Sequence, residues 1–511
     1  MRTAVAVQKT TGAVEKGRVI RSRAWRVPRL DTSGAAAMMG EQQRGGKGAS
    51  WRALGAMIPA DHILRRIDGL IDLGELRHAL APHYSRRGRP SIAPELLIRM
   101  SLIARLYGLT SERRLCEEVR FNLAYRWFCR LPLDAPVPHH STFSKNRHGR
   151  FRDAGIFRIL FEQTVRRCAD VGLIAHKDAA IDASFVAADA SWQRKMRDAD
   201  MAAPRLPRPV CEWLADQANA PPQEHGVPRG KPAEVSRTDP ASAWSARTAR
   251  GRFGYALNVL IDTPGGVAID VEASPARFAA EVDAGRTMLA RADDRFGYRP
   301  KRVAADTAYG SAAFLAFVTD RGTIPHIPVL ERSEQTKGKF PREAFRYERE
   351  QGRYVCPAGK ILPFRGADRR AGFLRYSASP ADCRACYLKR KCTAGSNRSV
   401  THSEHEDVRE LVRGEMQTPL FKRSMRLRRG VERVFADAKG KRGLTRLHLR
   451  GLRGAEEEFL LGAAIANLVL LARPDARPAR TRRPPPVPER IDHMARISRG
   501  RFEQSYYATI F

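Results

Sequence analysis

A chain of 511 residues, 43% of them apolar, is long enough for about two to four domains with a sizeable core, and no stretch approaches the roughly 18 apolar residues of a membrane span. The formal net charge of +36, with a pI near 10.7, excludes an acidic solvating protein and points to a polyanionic partner, because each phosphate neutralised releases condensed counterions. Eight cysteines spread over this length do not make a secreted disulfide scaffold, and the basic N-terminus lacks a signal peptide's apolar run, so the expected setting is cytoplasmic with reduced thiols and no membrane contact.

Residues 1–50 are rich in Gly, Ala, Arg and Gln without sustained periodicity and read as a disordered basic extension. Residues 51–170 read as an all-helical domain. In IAPELLIRMSLIARLYGL the residues Leu96, Met100, Ile103 and Tyr107 recur at spacings of four, three and four, one face of an amphipathic helix, and Ser111 then caps a second helix. Basic residues on the outer faces of such helices, including those of STFSKNR, suit a DNA-binding domain. His139-His140 reads as a loop feature before that helix.

After Val171 the pattern changes. Residues 178–187 form a strand, 191–250 a polar loop insertion, and FGYALNVLIDTPGGVAIDVEASPA a hairpin turned at Thr-Pro-Gly-Gly. Asp262, Asp270 and Glu272 in that hairpin are expected to be exposed. A helix, the short strand KRVAAD, another helix and the strand TIPHIPVL follow. This order, over 171–330, predicts an α/β fold: a mixed five-stranded sheet with flanking helices. Residues 331–420 interrupt it as a cysteine-containing insertion, 421–472 complete it, and 473–511 form a basic Pro- and Arg-rich tail without predicted structure.

Asp182 lies in the first strand and Asp306 ends the fourth. If those strands are neighbours, two carboxylates meet near the strand ends, where open α/β sheets collect ligands. Like charges that close need a proton or a cation between them, although a strand-ending Asp can equally cap the following turn. Asp178 and Asp189 are rivals for the first acid, each nearer a strand end. A third acid, Glu432, stands on a helix expected from about Arg423 to Lys441. On one continuous helix Arg428 and Lys439 fall within about 40° of it, which matches a metal ligand beside phosphate-gripping groups; the plain alternative is a surface Arg428–Glu432 ion pair.

IDASFVAAD around Asp182, RVAADTAYGS around Asp306, the spacing Arg428-x3-Glu432-x6-Lys439, the hairpin, the terminal FLLGAAIANLVLL and the helical RRGRPSIAPELLIRMSLIARLYGL together resemble the bacterial insertion-sequence transposases of the DDE class, over roughly residues 55–472. The resemblance implies a ribonuclease-H-like core in which Asp182, Asp306 and Glu432 ligate two Mg2+ or Mn2+ ions, with Arg428 and Lys439 on the DNA backbone. Terminal inverted repeats and target DNA would be the partners, and a homo-oligomer would assemble on them. Met425 departs from the pattern, which has a tyrosine at that place. The competing expectations are a metal-dependent nuclease that never joins ends, and an inactive DNA-binding regulator derived from a transposase.

Four cysteines fall in the insertion: Cys356, then Cys383, Cys386 and Cys392 in DCRACYLKRKC. Four thiolates make a closed tetrahedral zinc site, so these are candidate structural zinc ligands, with His402 and His405 as spares, a reading that similar clusters in transposases of this kind reinforce. Unmetallated thiols are the alternative. Cys116, Cys129, Cys168 and Cys211 are scattered and read as core or neutral.

Overall fold

The computed structural model describes residues 38–41, 49–85, 87, 89–147, 149–197, 200, 206–218, 234–246, 251–330, 338–368 and 372–473. The extension expected at 1–50 therefore lies almost wholly outside the described residues, and the tail beyond Arg473 wholly so.

The central sheet contains β1 (Asp178–Ala187), β2 (Ala243–Ser245), β3 (Arg252–Asp262), β4 (Val267–Pro275), β5 (Arg302–Ala304) and β6 (Ile324–His326). The hairpin strand β3 is buried from Phe253 to Asp262, as a strand covered on both faces must be. On one side it pairs antiparallel with β1; on the other it takes β2 at residues 252–254 and β4 at 255–262. β5 adds to β1 in parallel and β6 to β5 in parallel. The expected mixed sheet, hairpin and strand order are all present.

Residues 191–250 correct the polar-loop expectation. They hold the helix Arg208–Ala218, a two-stranded ribbon (Lys195–Arg197 with Glu234–Ser236) and β2, which makes a sixth strand. The Trp244 ring packs on Phe253 at 5.2 Å, and the buried Tyr255 hydroxyl donates to the buried Asp239 at 2.5 Å. Three residues of strand among polar neighbours leave no readable alternation.

The hairpin acids are also corrected. Asp262 is 0% and Asp270 1% exposed, because helices Ile156–Asp170, Phe278–Phe296 and Gly451–Leu471 pack against the hairpin. Asp262 accepts the N–H groups of Ala175, His176 and Gly265 and the hydroxyl of Tyr298. Asp270 lies between Arg158 (2.6 Å) and Arg291 (2.7 Å); Glu272 pairs with Arg291 and Glu456 with Arg158. Burial pushes the Glu456 carboxyl up to about 7.

Helices occupy the described part of 49–170, and their apolar side chains join the central sheet in one continuous core. The helix Pro94–Leu106 is buried from Pro94 through Ile103 rather than on one face. Several of its block's arginines point inward. Asp68 binds both Arg99 (2.5 Å) and Arg130 (2.6 Å), and Arg126 donates to the carbonyls of Leu133 and Ala135. Part of the positive charge therefore satisfies buried oxygens instead of facing a partner.

The insertion has a core of its own, built on Phe345, Tyr354, Leu362, Tyr376, Ala378, Cys392 and Val400, between two three-stranded sheets. Arg342 clamps it to the helix Glu406–Met416 through both Glu406 oxygens. Burial alone would raise the Glu406 carboxyl, but the hydrogen bonds and charge of Arg342, with Arg409 and Arg413, hold it at about 2. The folded value lies below the ordinary 4.5, so this stabilisation is complete above pH 4.5 and is lost as pH falls toward 2. We expect the near-ultraviolet signal of the Tyr347, Tyr354 and Tyr376 cluster to fade in that window in the native protein and to lose this acid-dependent step in Glu406→Gln.

Candidate active site

β1 carries the first acid. Its parallel ladder with β5 runs Asp178↔Arg302, Ala179↔Val303, Ala180↔Ala304 and then stops. Asp182 and Asp306 each stand two residues beyond that last rung, so the register sets them at matching depths, Asp182 midway along β1 and Asp306 just past the end of β5. Successive side chains of a strand alternate in direction, which puts Ser184 on the same face as Asp182.

Asp306 leaves the sheet at once. Its carboxylate caps the turn Thr307–Tyr309 by accepting Ala308 N–H at 2.9 Å, and Ser311 caps the helix Ala312–Asp320 after it. The glycine of TAYG is dictated by a close approach: a Cβ on Gly310 would lie 2.0 Å from the Pro328 carbonyl oxygen. Gly310→Ala must push the 328–330 segment off the Asp306 turn. The expected result is a lower melting temperature and weaker strand cutting together, measured by thermal denaturation and a nicking assay.

The expected helix from Arg423 to Lys441 is broken. Pro419–Arg428 and Gly430–Gly440 are separate helices meeting at Arg429. Ser424 anchors the first of them, its hydroxyl 2.7 Å from His326 Nδ1 at the end of β6, and Phe421 packs on that ring. Burial, then Arg302, lowers His326 to about 4, so the ring is neutral at pH 7. Val431, Phe435 and Ala438 bury one stripe of the second helix. Glu432 and Lys439, seven residues apart, share the adjoining stripe as expected, whereas Arg428 arrives from the helix before.

The corner aims Arg428 at β1, not at Glu432. Its guanidinium meets Asp182 Oδ2 at 2.5 Å, while Lys439 Nζ donates to Ser184 Oγ at 2.7 Å. Burial pushes the Asp182 carboxyl up; Ala183 N–H and Arg428 pull it down, and the charges of Asp306 and Glu432 push it up again. The Asp182 carboxyl therefore lies within the field of both other acids. The rivals are spoken for: Asp178 pairs with Arg302 at 2.5 Å, and Asp189 with Arg446 and Arg450. Ser184 was missed in the sequence, although its position two residues after Asp182 was the available signal.

Among the described residues no three or more His, Cys, Asp or Glu side chains form a ready ligand set. The donor chemistry is nevertheless that of a hard divalent cation: the charges of Asp306 and Glu432 reach the Asp182 carboxyl, and one oxygen of Asp182 is already charge-balanced by Arg428.

The insertion cysteines are all free thiols. Burial raises the Cys392 thiol, Arg398 opposes it, and Cys356, Cys383 and Cys386 are close enough to raise it further. Cys356 sits in a tight turn that returns Lys360 N–H to its Sγ at 3.3 Å, with Gly359 at φ +74. His402 is engaged elsewhere, bonded to the Tyr354 hydroxyl at 2.9 Å and enclosed by Tyr347 and Tyr376.

Two family models match the chain: a transposase domain (DUF772) over residues 52–149 and a transposase DDE domain over 226–468. Asp306 and Glu432 fall inside the second match, and Asp182 lies between the two. No curated protein and no solved structure matches. The mixed sheet and the DDE match define an enzyme with a ribonuclease-H-like core whose partner is DNA. The chain belongs to the DDE transposases of insertion sequences. No helix among the described residues is long and apolar enough to cross a membrane.

Proposed function

We propose that the protein cuts the ends of an insertion sequence and joins them to target DNA, with Asp182, Asp306 and Glu432 as the carboxylates that hold two Mg2+ or Mn2+ ions. The observation that supports this reading is that the charges of Asp306 and Glu432 reach the Asp182 carboxyl, beside two cations bonded to the same face of β1. Bound there, such ions activate an attacking oxygen and stabilise a leaving one.

The chain's own residues supply placement. Asp182 and Asp306 are held at equal depth by the β1–β5 register, and Glu432 would complete the set from the first turn of the helix Gly430–Gly440. Arg428 and Lys439 hold the DNA backbone, fixing the scissile phosphate without reading sequence. Water attacks that phosphate and the strand's 3′ oxygen leaves as a hydroxyl. In the joining step this 3′-hydroxyl attacks a target phosphate and the target's own 3′ oxygen departs, so one phosphodiester forms for each one broken. No covalent link to the enzyme is needed, and two ends held together require at least a dimer on DNA.

The test is strand cutting of DNA carrying the element end, with Mg2+ or Mn2+ against EDTA. Metal-dependent nicking at the boundary, lost in Glu432→Gln, supports the reading, and strand transfer to a second duplex separates a transposase from a nuclease. Tight binding with no nicking under either ion would overturn the enzymatic assignment.

The insertion, in the same reading, holds a structural Zn2+ through Cys356, Cys383, Cys386 and Cys392, supported by the mutual influence of their thiols. Purified protein should then carry about one zinc per chain by elemental analysis, and Cys386→Ser should lose it and lower the melting temperature. A zinc-free protein whose melting ignores chelators would rule this out.

A further inference from the structure

Between the second and fourth of those cysteines the insertion presents a basic turn. The segment from Arg384 to Lys391 reads RACYLKRK, four cations in eight residues with no acid. Tyr387 is 84% exposed, more than any other large hydrophobic side chain among the described residues. Nothing about tyrosine demands this here, because Tyr347, Tyr354 and Tyr376 of the same insertion stack on one another and on His402.

The cations around Tyr387 are equally unengaged. Arg384, Arg390 and Lys391 are exposed and form no ion pair among the described residues, whereas Arg342 and Arg353 of the insertion are paired with Glu406 and Glu348. The nearest acid in sequence, Asp382, faces Lys360 at 3.8 Å. The backbone beneath is fixed. Lys389 N–H donates to the Cys386 carbonyl, Thr393 N–H to Lys389, and the Lys391 carbonyl accepts Phe340 N–H, all between 2.9 and 3.1 Å. A rigid turn that holds an aromatic face and three free cations in water is preorganised for a ligand with π-faces and regularly spaced negative charge.

We infer that this turn grips a DNA strand, Tyr387 stacking on an unpaired base while Arg384, Arg390 and Lys391 neutralise the flanking phosphates. The proposal rests on DNA being the substrate, and it assigns to the insertion a contact with unstacked nucleotides, separate from the cutting centre. Stacking selects single-stranded or opened DNA, since a paired base hides its faces in the helix.

The test uses the full-length protein and fluorescence anisotropy with a fluorescein-labelled single-stranded oligonucleotide and the duplex of the same sequence, across a KCl series. Tyr387→Ala should weaken single-strand binding about fivefold or more and duplex binding less, with Tyr387→Phe restoring it. The triple change Arg384→Gln, Arg390→Gln, Lys391→Gln should flatten the single-strand salt dependence by about two units of slope, from roughly 0.7 per phosphate. Because all four side chains are exposed, each variant should melt with the native protein; a lowered melting temperature would show a packing role and overturn the proposal. So would single-strand affinity and salt slope equal to the native protein's. Native protein that binds neither DNA defeats the transposase reading itself, while native protein that binds and cuts, with variants indistinguishable from it, defeats this surface alone.

Discussion

Asp306→Asn should abolish strand cutting and leave DNA binding almost unchanged. The amide has the carboxylate's shape, and its oxygen can still accept Ala308 N–H, so the turn after β5 keeps its cap. What disappears is a negative charge that reaches Asp182 and, in the proposed reading, a hard metal ligand. Losing metal-centred stabilisation of several kcal/mol corresponds to a fall on the order of a thousandfold in rate. Removing a like charge beside Asp182 also relieves repulsion, so the melting temperature should hold or rise slightly. A nicking assay, anisotropy and a thermal melt on one preparation decide the matter. Cutting at the native rate would remove Asp306 from the catalytic set.

The second large effect is structural. Asp270 is nearly inaccessible and answers two arginines at once, Arg158 on one helix and Arg291 on another. Replacing it with Ala leaves Arg158 with Glu456 alone and Arg291 with Glu272 alone, and removing the shared member of such a buried ion network costs about 3 kcal/mol. Glu272 and Glu456 cannot cover the loss, since each already serves one of the same arginines. The urea midpoint of Asp270→Ala should fall while the slope of the transition stays the same. A change below about 1 kcal/mol would mean that the network does not hold the hairpin to its helices.

The strand order was legible because hydrophobic runs, the Thr-Pro-Gly-Gly turn and the capped helices are local signals, each set by residues within a few positions of one another. Asp182 and Asp306 could be singled out because an acid at the end of an apolar run is conspicuous. Other features were not local. The hairpin acids looked solvated in the sequence, yet the arginines that make the burial of Asp270 tolerable come from 112 positions upstream and 21 downstream. β2 is three residues long and takes its place only by pairing with the start of β3.

The triad itself divides along the same line. From sequence alone came the three acids, the two cations and the common stripe of Glu432 and Lys439, because a helix's period relates residues seven apart without any knowledge of the rest. Only the tertiary structure decided that the helix turns at Arg429, that Arg428 answers Asp182 while Lys439 answers Ser184, and that the inward arginines of the first helices are structural. A charged side chain's partner is chosen by whichever opposite charge the folded chain brings within a few ångströms, and for Arg428 that partner lies 246 residues away.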